Sequence, residues 1–466
     1  MTHHFFDFMI VNMENVKHPF LKKYTQGYTF KVLMLVVLIL LLLIPLNMIR
    51  GLVNERGRTA ASAESDIMEA WGKQLIEAGP VITIPGIKTE TVHTKTEKEG
   101  EKIETIKTPF TLMISPRGLD INAVFKTEVR KRGIFSVPLF SGTFNLRGSF
   151  DPSMAISELL PNEEIFLGQA ELIIALSSQK GIRKINKSNW DNEELFFQPG
   201  NRGYSLFSHG YNKSGGGIYA VLPRFENKEA SFNISIDIQG GQLIRVLPIG
   251  QDTHVSISSD WSSPSFQGAF LPGESNITDT EFSALWDISY LSRDIPLFLK
   301  NYNHDYDYSD SLFGVNFFRT IDTYALNTRA VKYAILFLIV PFLTLFLLEI
   351  FTRHRIHPAP YLLSGIGNAV FYLLLLSLSE QIPFYTAYLI AALAVTAMMT
   401  LYSRSLLPSW NKSWYMGLVV TISYILLYAV LNAESYALLI GSIGTFVVIA
   451  LVMFLTRKLD WYGNEG

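Results

Sequence analysis

Six apolar runs, each about long enough to cross a lipid bilayer, constrain this chain more than any other feature. The first is Val32–Ile49, and five more crowd the last third: Tyr333–Phe351, Tyr361–Ser379, Pro383–Tyr402, Trp414–Leu431 and Tyr436–Thr456. About 20 apolar residues in a helix span the ~30 Å hydrocarbon core. A helix is what such a run must become, because lipid offers no hydrogen-bond partner to an open backbone. Composition agrees, with 48% hydrophobic residues in 466. A cleaved signal peptide is the rival reading of the first run, and Ala61-Ser62-Ala63 offers a small-residue pattern. The run is longer than a signal's apolar region and those residues lie too far beyond it, so the segment is read as an uncleaved anchor.

Between the first run and the other five the pattern changes. Ala60, Ala63, Ile67, Ala70, Trp71 and Leu75 recur at helical spacing. They predict a helical extension over 50–79 that Gly79-Pro80 stops. From there to about Leu326 short segments alternate polar and apolar side chains. Ser231–Ile238 alternates, meets Gly240-Gly241, and is followed by Gln242–Pro248, which reads as a hairpin. Leu119–Val129 and Ser141–Phe150 behave alike, and the Lys/Glu/Thr-rich 88–107 reads as a solvated loop or hairpin tip. The expected fold is therefore a membrane α-helical bundle of about six transmembrane helices with a large extracytoplasmic antiparallel β domain, sandwich-like. In order, it has a tail (1–31), a first transmembrane helix (32–49), a helical extension (50–79), a β-rich domain (80–326), a five-helix bundle (333–456) and a second tail (457–466).

Basic residues set the orientation. Lys17, Lys22, Lys23 and Lys31 precede or open the first run, Arg353 and Arg355 follow the second, Arg404 and Lys412 lie between the fourth and fifth, and Arg457 and Lys458 follow the sixth. The opposite linkers carry only Glu380-Gln381 and Asn432–Ser435. Both termini are thus expected in the cytoplasm and the β domain outside. Arg50, Arg56, Arg58, Arg329 and Lys332 run against this rule. Tyr333, Tyr361, Tyr402, Trp414 and Tyr436 at run ends fit interfacial belts, and Glu349 and Glu380 lie where a charged head reaches the interface.

Candidate chemistry is sparse. The absence of cysteine excludes disulfides and thiolate chemistry, and a net charge of −2 gives no electrostatic case for nucleic acid. Ser177-Ser178-Gln179-Lys180 matches an S-x-x-K pattern but lacks the companion S-D-N and K-T-G, and reads as coincidence on a polar turn. His354 and His357 are flanked by Arg353, Arg355 and Pro358, which oppose cation binding. Asp305, Asp307 and Asp310 lack the glycine and terminal glutamate of a calcium loop and read as solvated. No cofactor and no metal are expected. Within the third run, Ser364, Asn368, Tyr372 and Ser379 share one helical face. They either hydrogen-bond to neighbouring helices or line a solute path, and the first is favoured because no run carries a central Asp, Lys or Arg. Gly441, Gly444 and Thr445 suggest close helix packing.

From Leu40 to Leu407 the chain resembles the CreD family of inner-membrane proteins, described as cell envelope integrity proteins. The resemblance rests on Ile44-Pro45 with Arg50 and Glu55-Arg56, on Gly79-Pro80 to Ile84-Pro85, and on Arg132-Gly133-Ile134-Phe135. Its most specific stretch is Ser259-Asp260-Trp261 with Pro264-Ser265-Phe266-Gln267-Gly268-Ala269-Phe270-Leu271-Pro272. Arg329–Ala334, Arg355–Pro358, Tyr372–Glu380 and Ala387–Ala391 continue it. The resemblance implies a bacterial inner-membrane protein linked to envelope stress and to signalling by a sensor kinase and response regulator. It carries no catalytic residues over. Asp260, Trp261, Pro264, Phe266, Gln267 and Gly268 are family-motif residues of unassigned role, and proline, glycine and aromatics are also what a packed β-corner requires.

The favoured expectation is a non-enzymatic protein whose outer domain binds or senses an envelope component. Its expected partners are membrane lipids and either an envelope component or another membrane protein. The alternative is a carrier or flippase-like helper for an envelope lipid or hydrophobic compound. An envelope enzyme is least favoured, because no triad, dyad or metal motif is present.

Overall fold

The computed structural model describes residues 28–96, 100–202, 216–301, 307–317, 323–352, 354–407, 410–433 and 436–457. Lys17, Lys22, Lys23, Asp305, Arg353 and Lys458 lie outside them. The chain divides into two compact units, Ala60–Thr320 and Met1–Thr59 with Ile321–Gly466.

The first unit is β-rich. Its principal strands are β1 (Leu75–Thr96), β2 (Gly100–Ile114), β3 (Gly118–Arg132), β4 (Phe135–Phe150), β5 (Glu171–Leu176), β6 (Gly216–Val221), β7 (Ala230–Gly241), β8 (Leu243–Leu247), β9 (Asp252–Ser259), β10 (Pro264–Gly268), β11 (Phe282–Ser289) and β12 (Phe313–Phe317). One sheet has the spatial order β6-β5-β1-β8-β12-β10, and the other has β11-β9-β3-β4-β7. Strict alternation gives β3, β9 and β11 one buried face each. The two buried faces meet through aromatic rings. Phe140 of β4 stacks on Phe317 of β12 at 5.2 Å, and Trp286 of β11 lies 5.5 Å from Phe313 of β12. This is the sandwich read from the alternation, with one difference. Both sheets are mixed, because β1 pairs with β8 and β3 with β9 in parallel.

Two local expectations change. The first described helix ends at Trp71, not at Gly79-Pro80, and Leu75 already belongs to β1. Gly72 and Lys73 take positive φ, and both their amides donate to the Met68 carbonyl, which closes the helix with a left-handed cap. Gly79-Pro80 lies inside β1 instead. Second, β7 and β8 are not a hairpin. β7 pairs with β4 in one sheet and β8 with β1 and β12 in the other, so Gly240-Gly241-Gln242 carries the chain between sheets. A Cβ on Gly240 would stand 2.5 Å from the Phe140 ring, so the crossing needs glycine for close approach. Residues 88–96 and 100–107, in the stretch expected as a solvated loop or hairpin tip, form the outer part of a hairpin. β1 and β2 stay paired from Ile82↔Ile114 out to Thr96↔Gly100, a long hairpin arm.

Ser177 accepts from the Ile76 amide and donates to the Gln74 carbonyl at 2.6 Å, tying the chain after β5 to the start of β1. Asp307 accepts from the amide and hydroxyl of Ser309 in a local turn.

The second unit is helical: α1 (Tyr28–Trp71, which continues into the β-rich unit), α2 (Thr323–Thr352), α3 (Pro358–Ser379), α4 (Phe384–Leu406), α5 (Trp410–Asn432) and α6 (Ala437–Thr456). All six contain a stretch long and apolar enough to cross a membrane. α2 packs on α3 and α5, α3 on α4, α4 on α5, and α5 on α6. Leu35, Leu42, Leu46 and Val53 seat α1 in the same apolar core. α2 begins ten residues before the apolar run that announced it (333 − 323), since its first turns are polar and hydropathy does not register them.

Candidate functional site

The clearest concentration of buried polarity is in the helical unit, and it starts from a proline. Pro341 lies inside α2 and has no N–H, so the carbonyl of Phe337, four residues earlier, loses its intrahelical donor. In an apolar bundle that carbonyl needs another partner. Asn368 of α3 supplies it, donating through Nδ2 at 2.9 Å. The Asn368 Oδ1 accepts from Tyr424 Oη of α5 at 2.7 Å, and Tyr388 Oη of α4 donates to the Tyr424 carbonyl at 2.6 Å. Phe371 stacks on the Tyr424 ring at 4.3 Å and meets Tyr388 edge-on. Four helices are thereby joined at one level.

The other members of the predicted polar face are also buried. Ser379 accepts from Asn327 Nδ2 of α2 at 2.9 Å and donates to the Leu376 carbonyl. The Tyr372 hydroxyl is buried with no hydrogen-bond partner among the described residues. Ser364 is buried beside them. Asn368 and Ser379 spend their polarity on neighbouring helices, and that use competes with lining a solute path. Asn368→Leu is accordingly expected to cost about 1 kcal/mol, toward the upper end of interhelical bonds in membrane proteins because two are lost. Pro341→Ala restores an N–H to the Phe337 carbonyl. In the Asn368→Leu background it should recover part of that loss in detergent melts. Equal, additive effects of the two changes would show that they do not share the carbonyl.

Two ion pairs flank this layer. Lys31 of α1 pairs with Glu349 of α2, which also accepts from Tyr361 Oη at 2.8 Å. Arg56 of α1 grips Glu380 with two parallel bonds of 2.7 and 2.9 Å, and Tyr324 Oη adds a third. Lys31 and Arg56 are 25 residues apart on one helix, about 37 Å at ~1.5 Å per residue. The pairs therefore bracket a hydrocarbon core of about 30 Å. Glu349 and Glu380, at the run ends as expected, are paired with cations of α1. One expectation is corrected: Tyr361 is fully buried and not an interfacial anchor. His357 also has a local role, its Nδ1 accepting from the Ala359 amide at the start of α3.

In the β-rich unit the Ser259–Pro272 motif forms the passage from β9 in one sheet to β10 in the other. Asp260 Oδ1 accepts from the amide and hydroxyl of Thr127 at 2.7 and 2.9 Å, anchoring the corner to β3. Trp261 Nε1 donates to the Ser263 carbonyl while its ring meets Phe317 edge-on. Phe266 packs against Phe282 and Trp286, and Pro264 and Gln267 fall in the β10–β12 ladder. Gly268 ends β10 with φ +106. The motif residues are thus brought together as a β-corner.

Sequence reading missed Glu77. It lies on β1 between Leu176 and Val246, and it is 1% exposed. Neither carboxyl oxygen has a partner among the described residues. Burial pushes its pKa well above the usual carboxylate range. Burial favours the neutral acid in the folded chain, while the unfolded chain ionises it above its ordinary pKa. It therefore lowers stability increasingly as pH rises past that value. Glu77→Leu should raise stability near neutral pH by about 1–3 kcal/mol, with a smaller gain in acid. Melting curves across pH test this, and a gain that grows toward low pH would reverse the assignment. An open cleft of about 240 Å³ elsewhere in the unit is lined by Ser115, Arg117, Asp151 and Gln251 among others. Ser153 bonds to Asp151 through its hydroxyl and amide, holding that carboxyl below its usual range.

Six apolar helices in one bundle, cross-tied by buried polar groups and joined in sequence to a β-rich unit, define a multi-pass membrane protein. The sequence profile of the family described as Inner membrane protein CreD matches residues 27–462. The chain is also 30% identical over 427 residues to the Inner membrane protein CreD of Escherichia coli (strain K12), covering 91% of each chain. The chain belongs to the CreD family of inner-membrane proteins.

Proposed function

We propose that this protein serves cell envelope integrity and the envelope-stress response without catalysing a reaction. Its β-rich unit would stand on the periplasmic side and bind or sense an envelope component, and both termini would be cytoplasmic. The observation that carries this reading is connectivity. The β-rich unit, Ala60–Thr320, begins in the last turns of α1 and runs to the start of α2, so the chain joins it at both ends to one bundle. The arrangement suits a domain that reports its state through two helices more than one that merely needs an anchor. Phe196, Leu271 and Leu291 are large apolar side chains left exposed at separate places on the unit, where a contact can be probed.

Two measurements test the proposal. Reporter fusions after Ile87 and after Arg457 should show the first site outside and the second inside, and the reverse pattern would sink the orientation. Photo-crosslinking residues placed at Phe196, Leu271 and Leu291 in intact cells should capture a specific envelope component. Failure of all three positions to capture anything beyond bulk lipid would count against binding by the unit at these places.

A further inference from the structure

Among the cations that run against the charge rule, Arg56 is explained by Glu380. Arg50 and Lys332 are not, since neither has an ion-pair partner among the described residues. Both line one groove between α1 and α2, with a volume of about 550 Å³, which falls within the ~300–1,000 Å³ of ordinary ligand clefts. Leu43, Leu46 and Ile335 supply apolar wall, Asn47 a neutral polar group, and among the described residues no acid lines the groove.

Helix register places the two cations at one height. A Cβ on Gly57 would lie 3.7 Å from Tyr324, so these residues are level on antiparallel helices. Arg50 is seven residues back along α1 (57 − 50) and Lys332 eight residues on along α2 (332 − 324). Both lie about 10–12 Å inward of that level, at ~1.5 Å per residue. That level holds the Arg56–Glu380 pair, at the bundle end from which residues 60–320 leave and return. That level lies about 3–4 Å outside a ~30 Å core, so the two cations sit about 7–8 Å inside the hydrocarbon layer, where an unpaired charge is costly and a long side chain reaches back toward head groups. The apolar wall runs from them toward the centre of the bundle, through Leu46 and Leu43 on α1 and Ile335 on α2. A polar, doubly cationic end and an apolar tail arranged along the membrane normal match one occupant.

We propose that this groove is a binding site for an anionic phospholipid of the leaflet on the β-unit side. Arg50 and Lys332 engage the phosphate-bearing head group, Asn47 donates to it, and one acyl chain lies along the groove. The site depends on the bundle residing in a bilayer and not on the role proposed for the β-rich unit.

The test uses purified full-length protein with lipid retention read by native mass spectrometry. The probes are phosphatidylglycerol, phosphatidylcholine and inorganic phosphate. The wild-type chain should retain phosphatidylglycerol over phosphatidylcholine by roughly tenfold or more, as two cations near a membrane surface provide. Arg50→Gln with Lys332→Gln should abolish the preference, and Lys332→Gln alone, at an exposed position, should reduce it if the double variant folds poorly. Ile335→Trp should weaken retention of both lipids by filling the groove while leaving the cations in place. Equal retention of the two lipids by the wild type, an unchanged preference in Lys332→Gln, or displacement of the lipid by inorganic phosphate would each overturn the assignment.

Discussion

Glu349→Ala should destabilise the helical unit by about 3–5 kcal/mol, the range for breaking a buried ion pair by removing one partner. Glu349 and Lys31 retain only 7% and 20% of their side-chain exposure. The alanine variant would leave the Lys31 ammonium inside the bundle with the Ile356 carbonyl at 3.4 Å as its remaining acceptor. It would also strip Tyr361 Oη of its acceptor. The cost therefore comes mainly from stranded polar groups and not from lost attraction. That distinction has a measurable consequence. Lys31→Met combined with Glu349→Leu removes both charges, and it should recover most of the loss because an apolar pair of similar volume has no desolvation penalty. Tyr361→Phe alone should cost about 1 kcal/mol, the worth of one hydrogen bond. Melting of the detergent-solubilised chain orders the variants. A double variant no more stable than Glu349→Ala would show that the pair itself, and not the unpaired lysine, holds α1 to α2.

The same pairs mark where sequence reading reaches its limit. Hydropathy locates the helices because lipid penalises any interruption of an apolar run, so each run can be read without knowing its neighbours. It cannot say that Lys31 meets Glu349, a partner 318 residues away, because charge at a run end looks alike whether it faces water or a second helix. Tyr361 is misread for the same reason. Asn368 lay closer to legibility. A proline inside a membrane helix creates an orphan carbonyl four residues earlier, and a buried amide on another run is a natural donor to it. Pro341 and Asn368 could have been matched on that ground alone. In the β-rich unit, Gly240-Gly241 reads as a hairpin because local turn chemistry is the same for a strand that reverses and for one that changes sheets. Only the distant partners, β4 for β7 and β1 with β12 for β8, decide between them. Glu77 gave no warning at all, since a lone acid in an alternating stretch is normally the solvent-facing residue.

Gly268→Ala should be among the most damaging single changes in the β-rich unit, costing about 3–5 kcal/mol from backbone strain and overpacking together. The first term comes from φ +106, a conformation that a residue with a Cβ adopts only under strain. The second comes from the added methyl, which would lie 2.1 Å from the Leu312 carbonyl oxygen and 2.6 Å from the Phe313 Cα. These are backbone atoms and no rotamer change relieves the clash. The neighbouring strand cannot retreat either, since the Phe313 ring is wedged between Trp286 and Phe270. Gly273, five residues on, is the control. A Cβ there meets nothing within 4 Å, and its φ is not in the left-handed range. Gly273→Ala should therefore stay within about 0.5 kcal/mol of the parent. Limited proteolysis and cellular abundance of the two full-length variants separate the readings of the motif. If its glycine serves the corner, Gly268→Ala becomes protease-sensitive and scarce, and envelope phenotypes follow abundance. If Gly268→Ala instead accumulates as a stable, protease-resistant protein that has lost function, the motif acts at a contact surface and the corner is only its scaffold.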